Sequence, residues 1–349
     1  MPRGLVPFLL LSLAVSPGIA ADRAKNVIIF LADAGGLPTL NAASLHGYDA
    51  PQKLYVQSWP HIALSDTSAA NAWVTDSAAG MTAIVTGAKT NNNFVSNGPT
   101  GMPLKSIVEY AEEKGLSTGA ITNVGIADAT PAALYAHNND RTKWGDIFLQ
   151  LFQPRFGDGV DVVIGAGRTQ IYEQAAALGK NPDEVAKANK RRVYESLAAV
   201  PTTELRPIVV QANSPDVVAA ARRAVEILSK NRKGYVLMIE WDAHTDNPRT
   251  GLDNVVSFDK LIRELSGKVN LKDTLLLFTA DHSFEIQLTG GRAGQPVLPA
   301  LKTGRNHTGE EVVVLAKGAG SEQVNGFLPN TRLFQIMMNA LGWTPSEDR

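Results

Sequence analysis

Residues 26–31 (Asn-Val-Ile-Ile-Phe-Leu) form an almost unbroken apolar run that ends in Ala32-Asp33-Ala34-Gly35-Gly36. A run without polar alternation predicts a strand covered on both faces, here opening into a loop. Similar runs recur at 119–122, 160–164, 235–239, 274–278 and 312–315. Between them the apolar positions switch to helical spacing: Leu104, Ile107, Val108 and Ala111 share one face, Leu252, Val255, Val256 and Ile262 a second, and Leu333, Ile336, Met337 and Leu341 a third. Strands alternating with helices predict an α/β fold, a three-layer sandwich around a central, mostly parallel sheet. The charged, helical-looking stretch 173–207 reads as a peripheral insertion, and Asn91-Asn92-Asn93 as only a loop. No internal repeat is present.

Composition narrows the class. A chain of 349 residues, 44% hydrophobic and 19% charged, can bury a substantial core. Length alone, at about 150 residues per domain, allows one large domain or two; the strand pattern favours a single domain over 22–349. Thirty-three basic residues against thirty-four acidic ones, with no long basic run, argue against nucleic acid as a dedicated partner. The absence of cysteine excludes disulfides, cysteine nucleophiles and thiolate metal sites, so any soft metal must use carboxylates and the six histidines. At the N-terminus, Arg3, an apolar stretch over 5–15 and the small pair Ala20-Ala21 predict a signal peptide over 1–21, cleaved near Ala20 or Ala21. The stretch is too short to span a bilayer, which needs roughly 20 apolar residues. The expected product is a periplasmic or secreted protein with no membrane association after cleavage.

Ligands of open α/β sheets bind outside the carboxyl ends of the strands. The predicted strand ends carry Asp33, Glu240 and the pair Asp281-His282. A serine preceded by aspartate and followed by small residues, Asp76-Ser77-Ala78-Ala79-Gly80, can sit at a helix N-terminus, where free N–H groups and the helix dipole favour a phosphate. A serine hydroxyl needs a base or a metal to become a nucleophile; equally, Thr75 or Asp76 could simply cap a small-residue helix. Three of the six histidines lie in carboxylate-rich or glycine-flanked contexts: Glu240-Trp241-Asp242-Ala243-His244-Thr245-Asp246, Asp281-His282 and His307-Thr308-Gly309. Together they supply nitrogen and oxygen donors suited to zinc.

The segments Thr75-Asp76-Ser77-Ala78-Ala79-Gly80-Met81-Thr82-Ala83, Asp128-Ala129-Thr130-Pro131-Ala132-Ala133, Thr279-Ala280-Asp281-His282 and His307-Thr308-Gly309 occur in an order that resembles the alkaline phosphatase family. The resemblance runs from about Asn26 to Gly342. It implies two zinc ions and a magnesium ion, with Ser77 as the nucleophile that becomes phosphoserine and Asp33, Asp281 and His282 on the zinc that activates it. Arg141 stands where the family places its phosphate-binding arginine. Thr130 would contribute to the magnesium site with Asp33 bridging toward it, Asp128 would hold a magnesium-bound water, and His137 is structural. His307 would complete the other zinc site.

The stretch 240–244 is shorter than the family pattern and leaves two registers. In one, Glu240 binds magnesium while Asp242 and His244 bind zinc; in the other, Glu240 and His244 are the zinc pair and magnesium lacks its glutamate. Asp246 is a spare carboxylate for either. The implied activity is hydrolysis of small-molecule phosphate monoesters. Phosphodiesterase or other phosphoryl-transfer activity is the alternative, with a non-catalytic phosphate-binding protein as a further one. The reduced length is compatible with a monomer or a homodimer.

Overall fold

The computed structural model describes residues 23–344, so the predicted signal segment lies outside the described residues. Its twelve strands are β1 (Asn26–Asp33), β2 (His61–Asp66), β3 (Ser117–Gly125), β4 (Val162–Ala166), β5 (Val193–Tyr194), β6 (Ile208–Val210), β7 (Tyr235–Asp242), β8 (Thr274–Thr279), β9 (Ser283–Leu288), β10 (Leu301–Thr308), β11 (Val312–Gly318) and β12 (Gly326–Pro329). Ten of them form one sheet in the order β12-β2-β11-β8-β1-β7-β3-β4-β6-β5. Every neighbouring pair is parallel except those made by β11, which runs antiparallel to both β8 and β2. Strands β9 and β10 pair separately as an antiparallel hairpin.

Alternation along the central strands divides the core into two layers. Val27, Ile29 and Leu31 of β1 join Val236 and Met238 of β7 beneath the helices Ser77–Thr86, Ile107–Glu113 and Arg332–Leu341. Ile28, Phe30 and Ala32 join Leu237 and Ile239 on the opposite face, under the helices Leu37–Tyr48, Val217–Leu228 and Pro248–Ser266. This is the three-layer α/β sandwich that the apolar runs predict. Two boundaries move: the helix predicted around Leu104 begins at Ile107, leaving Leu104 outside it, and β7 continues past Glu240 to Asp242. In parallel register, Leu31 lies opposite Glu240 and Asp33 opposite Asp242. The stretch 173–207 lies at the outer edge of the sheet and includes the second half of one helix, Arg168–Ala177, all of another, Pro182–Ala188, and the edge strand β5. Among the described residues no helix is long and apolar enough to cross a membrane.

One buried acid away from the strand ends sets a pH dependence. Glu112 accepts hydrogen bonds from the Thr118 hydroxyl (3.2 Å) and the Gly159 N–H (2.9 Å), yet burial, with Glu109 and Asp158 nearby, lifts its pKa from the ordinary 4.5 to about 8. Between those values the folded chain holds a proton that the unfolded chain has lost, so this carboxyl makes stability fall as pH rises from about 4.5 to about 8. Glu112→Gln should flatten that part of a melting-temperature profile and gain most over the parent chain above pH 8. Parallel profiles for the two chains would contradict the assignment.

Candidate active site

Side chains from seven separated segments meet at the carboxyl end of the sheet. Asp33 closes β1, and Ala34 then turns the chain through the left-handed region (φ 65°), placing its N–H 3.3 Å from Asp281 Oδ1. Ser77 opens the helix Ser77–Thr86, whose ten residues are all buried. Asp76 caps that helix by accepting from the Ala79 N–H at 3.0 Å. Gly80 lets the helix abut the Asp281-His282 turn, because a Cβ there would stand 2.7 Å from the Asp281 carbonyl oxygen. The nucleophile candidate is therefore seated directly against two of the ligand candidates.

Each of the three clustered histidines has its Nδ1 beside an oxygen: His282 at 3.0 Å from the Ser283 carbonyl, His307 at 3.0 Å from the Thr75 carbonyl and His244 at 2.6 Å from Asp242 Oδ1. Donation from Nδ1–H sets the tautomer of the neutral ring, in which Nε2 keeps its lone pair, as in metal-binding imidazoles. The Ser77 hydroxyl lies 3.2 Å from that Nε2 of His282. The same nitrogen is 3.4 Å from Asp33 Oδ1 and 3.6 Å from Asp281 Oδ2, and both of these oxygens are buried without a hydrogen-bond partner. Acceptors thus face acceptors, an arrangement that calls for a cation or additional protons.

Ligand atoms of Asp33, Asp281 and His282 lie within 4.8 Å of one another, as do those of His244, His282 and His307. His282 belongs to both groups and stacks on His307 with ring centroids 3.7 Å apart. Electrostatics follows from this crowding. Burial, with Asp281, Asp242 and Asp128 nearby, raises the Asp33 pKa well above the usual carboxylate range, although His244 opposes the rise. Glu240 is fully buried, and burial together with Asp33, Asp128 and Asp281 raises it likewise, against a pull from the Thr122 hydroxyl. Burial lowers His282 to about 4, keeping it neutral. Burial also opposes charge on His244, but the Asp242 hydrogen bond and Asp33 outweigh it and lift the group to about 9.

Arg141 forms the rim. It donates to Asp76 Oδ2 at 3.2 Å and to Asp128 Oδ1 at 2.9 Å. Its burial disfavours charge, yet Asp128 and Asp76 more than compensate and raise its pKa. Asp128 caps the short helix Ala129–Ala132, in which Thr130 is buried. Asp242, at the end of β7, is braced at its own backbone: Asn123 Oδ1 accepts its N–H at 2.8 Å and Asn254 donates to its carbonyl at 2.8 Å. His137 is held between the Ser96 carbonyl and Glu109, each at 2.8 Å, consistent with a structural residue. Asp246 is exposed and belongs to neither ligand group.

The triplet Asn91-Asn92-Asn93 is a loop, but it does more than connect. Asn92 Oδ1 accepts the Asp76 N–H at 3.0 Å, and the Asn93 N–H donates to Asp76 Oδ2 at 2.9 Å. Asp76 thereby joins the helix cap, the loop and Arg141. Its position directly before Ser77 was the available sequence signal; the Asn123 and Asn254 braces carry none, since their partners are remote in the chain.

The family model described as alkaline phosphatase matches residues 24–199 and 209–305, and the chain belongs to that family. The tissue-nonspecific alkaline phosphatase isozyme of Felis catus is 28% identical over 74% of this chain and 63% of its own. The chain thus spans less than two thirds of that relative. Alkaline phosphatase 4 of Bacillus subtilis (strain 168) is 27% identical over 80% of this chain and 67% of its own. Streptomycin-6-phosphate phosphatase of Streptomyces griseus is 27% identical over 91% of each. Among solved structures, alkaline phosphatase from the Antarctic bacterium TAB5 has a TM-score of 0.80 at 22% identity, covering 93% of this chain and 100% of that one. Thermus thermophilus alkaline phosphatase also has a TM-score of 0.80, at 20% identity, covering 93% of this chain and 92% of that one. These likenesses establish the fold.

Proposed function

We propose that this chain is an exported phosphatase that hydrolyses small-molecule phosphate monoesters through a phosphoserine at Ser77. The observation that carries the reading is the Ser77 hydroxyl beside His282 Nε2, itself facing unpartnered oxygens of Asp33 and Asp281. Such a donor set fits divalent cations, which would supply the missing positive charge. Asp33, Asp281 and His282 would hold one zinc, and Asp242, His244 and His307 the other. Asp33, Thr130 and Glu240 would hold magnesium, with Asp128 binding one of its waters. For Glu240 we favour magnesium over zinc because it stands outside both of the ligand groups that contain His282. The ions would neutralise phosphate charge, acidify the serine hydroxyl and stabilise the departing oxygen.

The chain's own contributions follow from its geometry. Ser77 Oγ forms the bond to phosphorus as the ester's alcohol leaves; water then displaces Ser77, giving inorganic phosphate and the original hydroxyl. The helix N-terminus supports the phosphoryl charge. Arg141 offers two guanidinium N–H donors, which match the additional charged oxygen that a monoester has over a diester. The Asp76 and Asp128 carboxylates hold that fork in place.

The test compares a nitrophenyl phosphate with its bis ester, alongside metal analysis and acid-quench trapping of labelled phosphate. The expected result is zinc in the protein, label on Ser77 and strong preference for the monoester. Preferential cleavage of the bis ester would favour the phosphodiesterase alternative, whereas absence of both zinc and label would overturn the catalytic reading. Residues 22–349 are proposed as a single mature domain, monomeric or homodimeric, in the periplasm or outside the cell, without nucleic acid as a dedicated partner. The mass of the exported chain would locate the cleavage site.

A further inference from the structure

The peripheral stretch beside β5 holds a second concentration of charge. Arg168, Lys187, Arg191 and Arg192 line an open cavity of about 630 Å³, with Asp183 and Glu195 as its acidic members. None of these residues belongs to the cradle around Ser77. Arg168 opens the helix Arg168–Ala177, Lys187 lies in Pro182–Ala188, and Arg191 and Arg192 lead into β5. Three pieces of the stretch thus converge on one opening.

Its donors are incompletely used. Arg168 stacks on the Tyr172 ring, with the guanidinium carbon 4.0 Å from the centroid, and one of its terminal nitrogens approaches Glu195 at 3.1 Å and Asp183 at 3.7 Å. Glu195 lies largely in solvent and Asp183 half so, which leaves these pairs screened. The other terminal nitrogen of Arg168 is buried without a hydrogen-bond partner. Arg191 is pinned by one terminal nitrogen to the carbonyls of Val160, Asp161 and Arg206, while its Nε is also buried and unpartnered. Burial and neighbouring Arg206 lower the Arg191 pKa to about 10, against the opposing pull of Asp161, Glu204 and Asp158. Among the described residues, Lys187 and Arg192 make no ion pair.

We propose that this cavity binds a small phosphate-class oxyanion at a site separate from the candidate active site. Planar guanidinium groups anchored from different directions suit a tetrahedral anion, whose several oxygens accept from more than one cation; a planar carboxylate engages fewer of them. The cavity volume suits a free or esterified phosphate of small-molecule size. The proposal does not depend on Ser77 being catalytic.

Calorimetric titration of the metal-loaded chain with orthophosphate, at constant ionic strength, tests it. The expected result is two binding classes in the parent chain and loss of one, or at least about tenfold weakening, in Lys187→Gln/Arg192→Gln, with hydrolysis unchanged. Arg168→Gln, checked for an unaltered fold by circular dichroism, should weaken the same class. A parallel titration of Ser77→Ala with glycerol phosphate separates the two sources: binding at the peripheral site identifies an esterified ligand as accepted, and orthophosphate binding alone restricts the site to the free ion. Equal stoichiometry and affinity in parent and both variants, or equal heats from phosphate and chloride, would overturn the proposal.

Discussion

Ser77→Ala should lower kcat/KM for an aryl phosphate by at least about a thousandfold and abolish acid-stable labelling of the protein. The substitution removes the oxygen that would bond to phosphorus but leaves the helix, because the cap belongs to Asp76 and the packing against the Asp281-His282 turn to Gly80. The lost hydroxyl contact with His282 is a single hydrogen bond, with a stability cost of about 1 kcal/mol. Metal content should therefore be retained and the melting temperature should change by only a few degrees. Activity within tenfold of the parent chain would exclude Ser77 as the nucleophile, whatever the metal content.

Glu240→Gln should stabilise the metal-free chain at alkaline pH while lowering its capacity for the proposed magnesium ion. Asp33 and Glu240 both have raised pKa values, chiefly through burial and then through neighbouring carboxylates. For a carboxyl raised on folding, the folded state retains a proton that the unfolded state loses, so stability declines as pH climbs above the ordinary carboxylate range. Melting profiles of the chelator-treated parent should accordingly fall from mildly acidic to alkaline pH. The glutamine variant should fall less steeply, with the largest difference at alkaline pH. Added metal should raise the parent's melting temperature most where the metal-free chain is weakest, and magnesium should raise the variant's much less. Superimposable metal-free profiles for the two chains would remove Glu240 from the charged cluster.

The strands legible in the sequence are those covered on both faces. β1, β3, β4, β7, β8 and β11 contain apolar runs because helices pack above and below them. β2 and β12 expose Ile62 and Phe327 at the sheet margin, and β10 has no buried position at all, so none of them has a clear run. β6 is fully buried but only three residues long, too short to separate from a turn. At the site, residue types and motif order marked the residues that now cluster. What they could not convey is contact between remote positions, such as Arg141 shared by Asp76 and Asp128, or β7 ending at Asp242 beside Asp33.

The ligand candidates begin at Asp33 and end at His307, so they tie together chain segments separated by most of the molecule. In a chain without a single cysteine, ions held there would serve as long-range cross-links, closing loops of a length at which a disulfide contributes several kcal/mol in the chain-entropy model. Loss of metal would then loosen the whole architecture, and resistance to proteolysis would register metal supply.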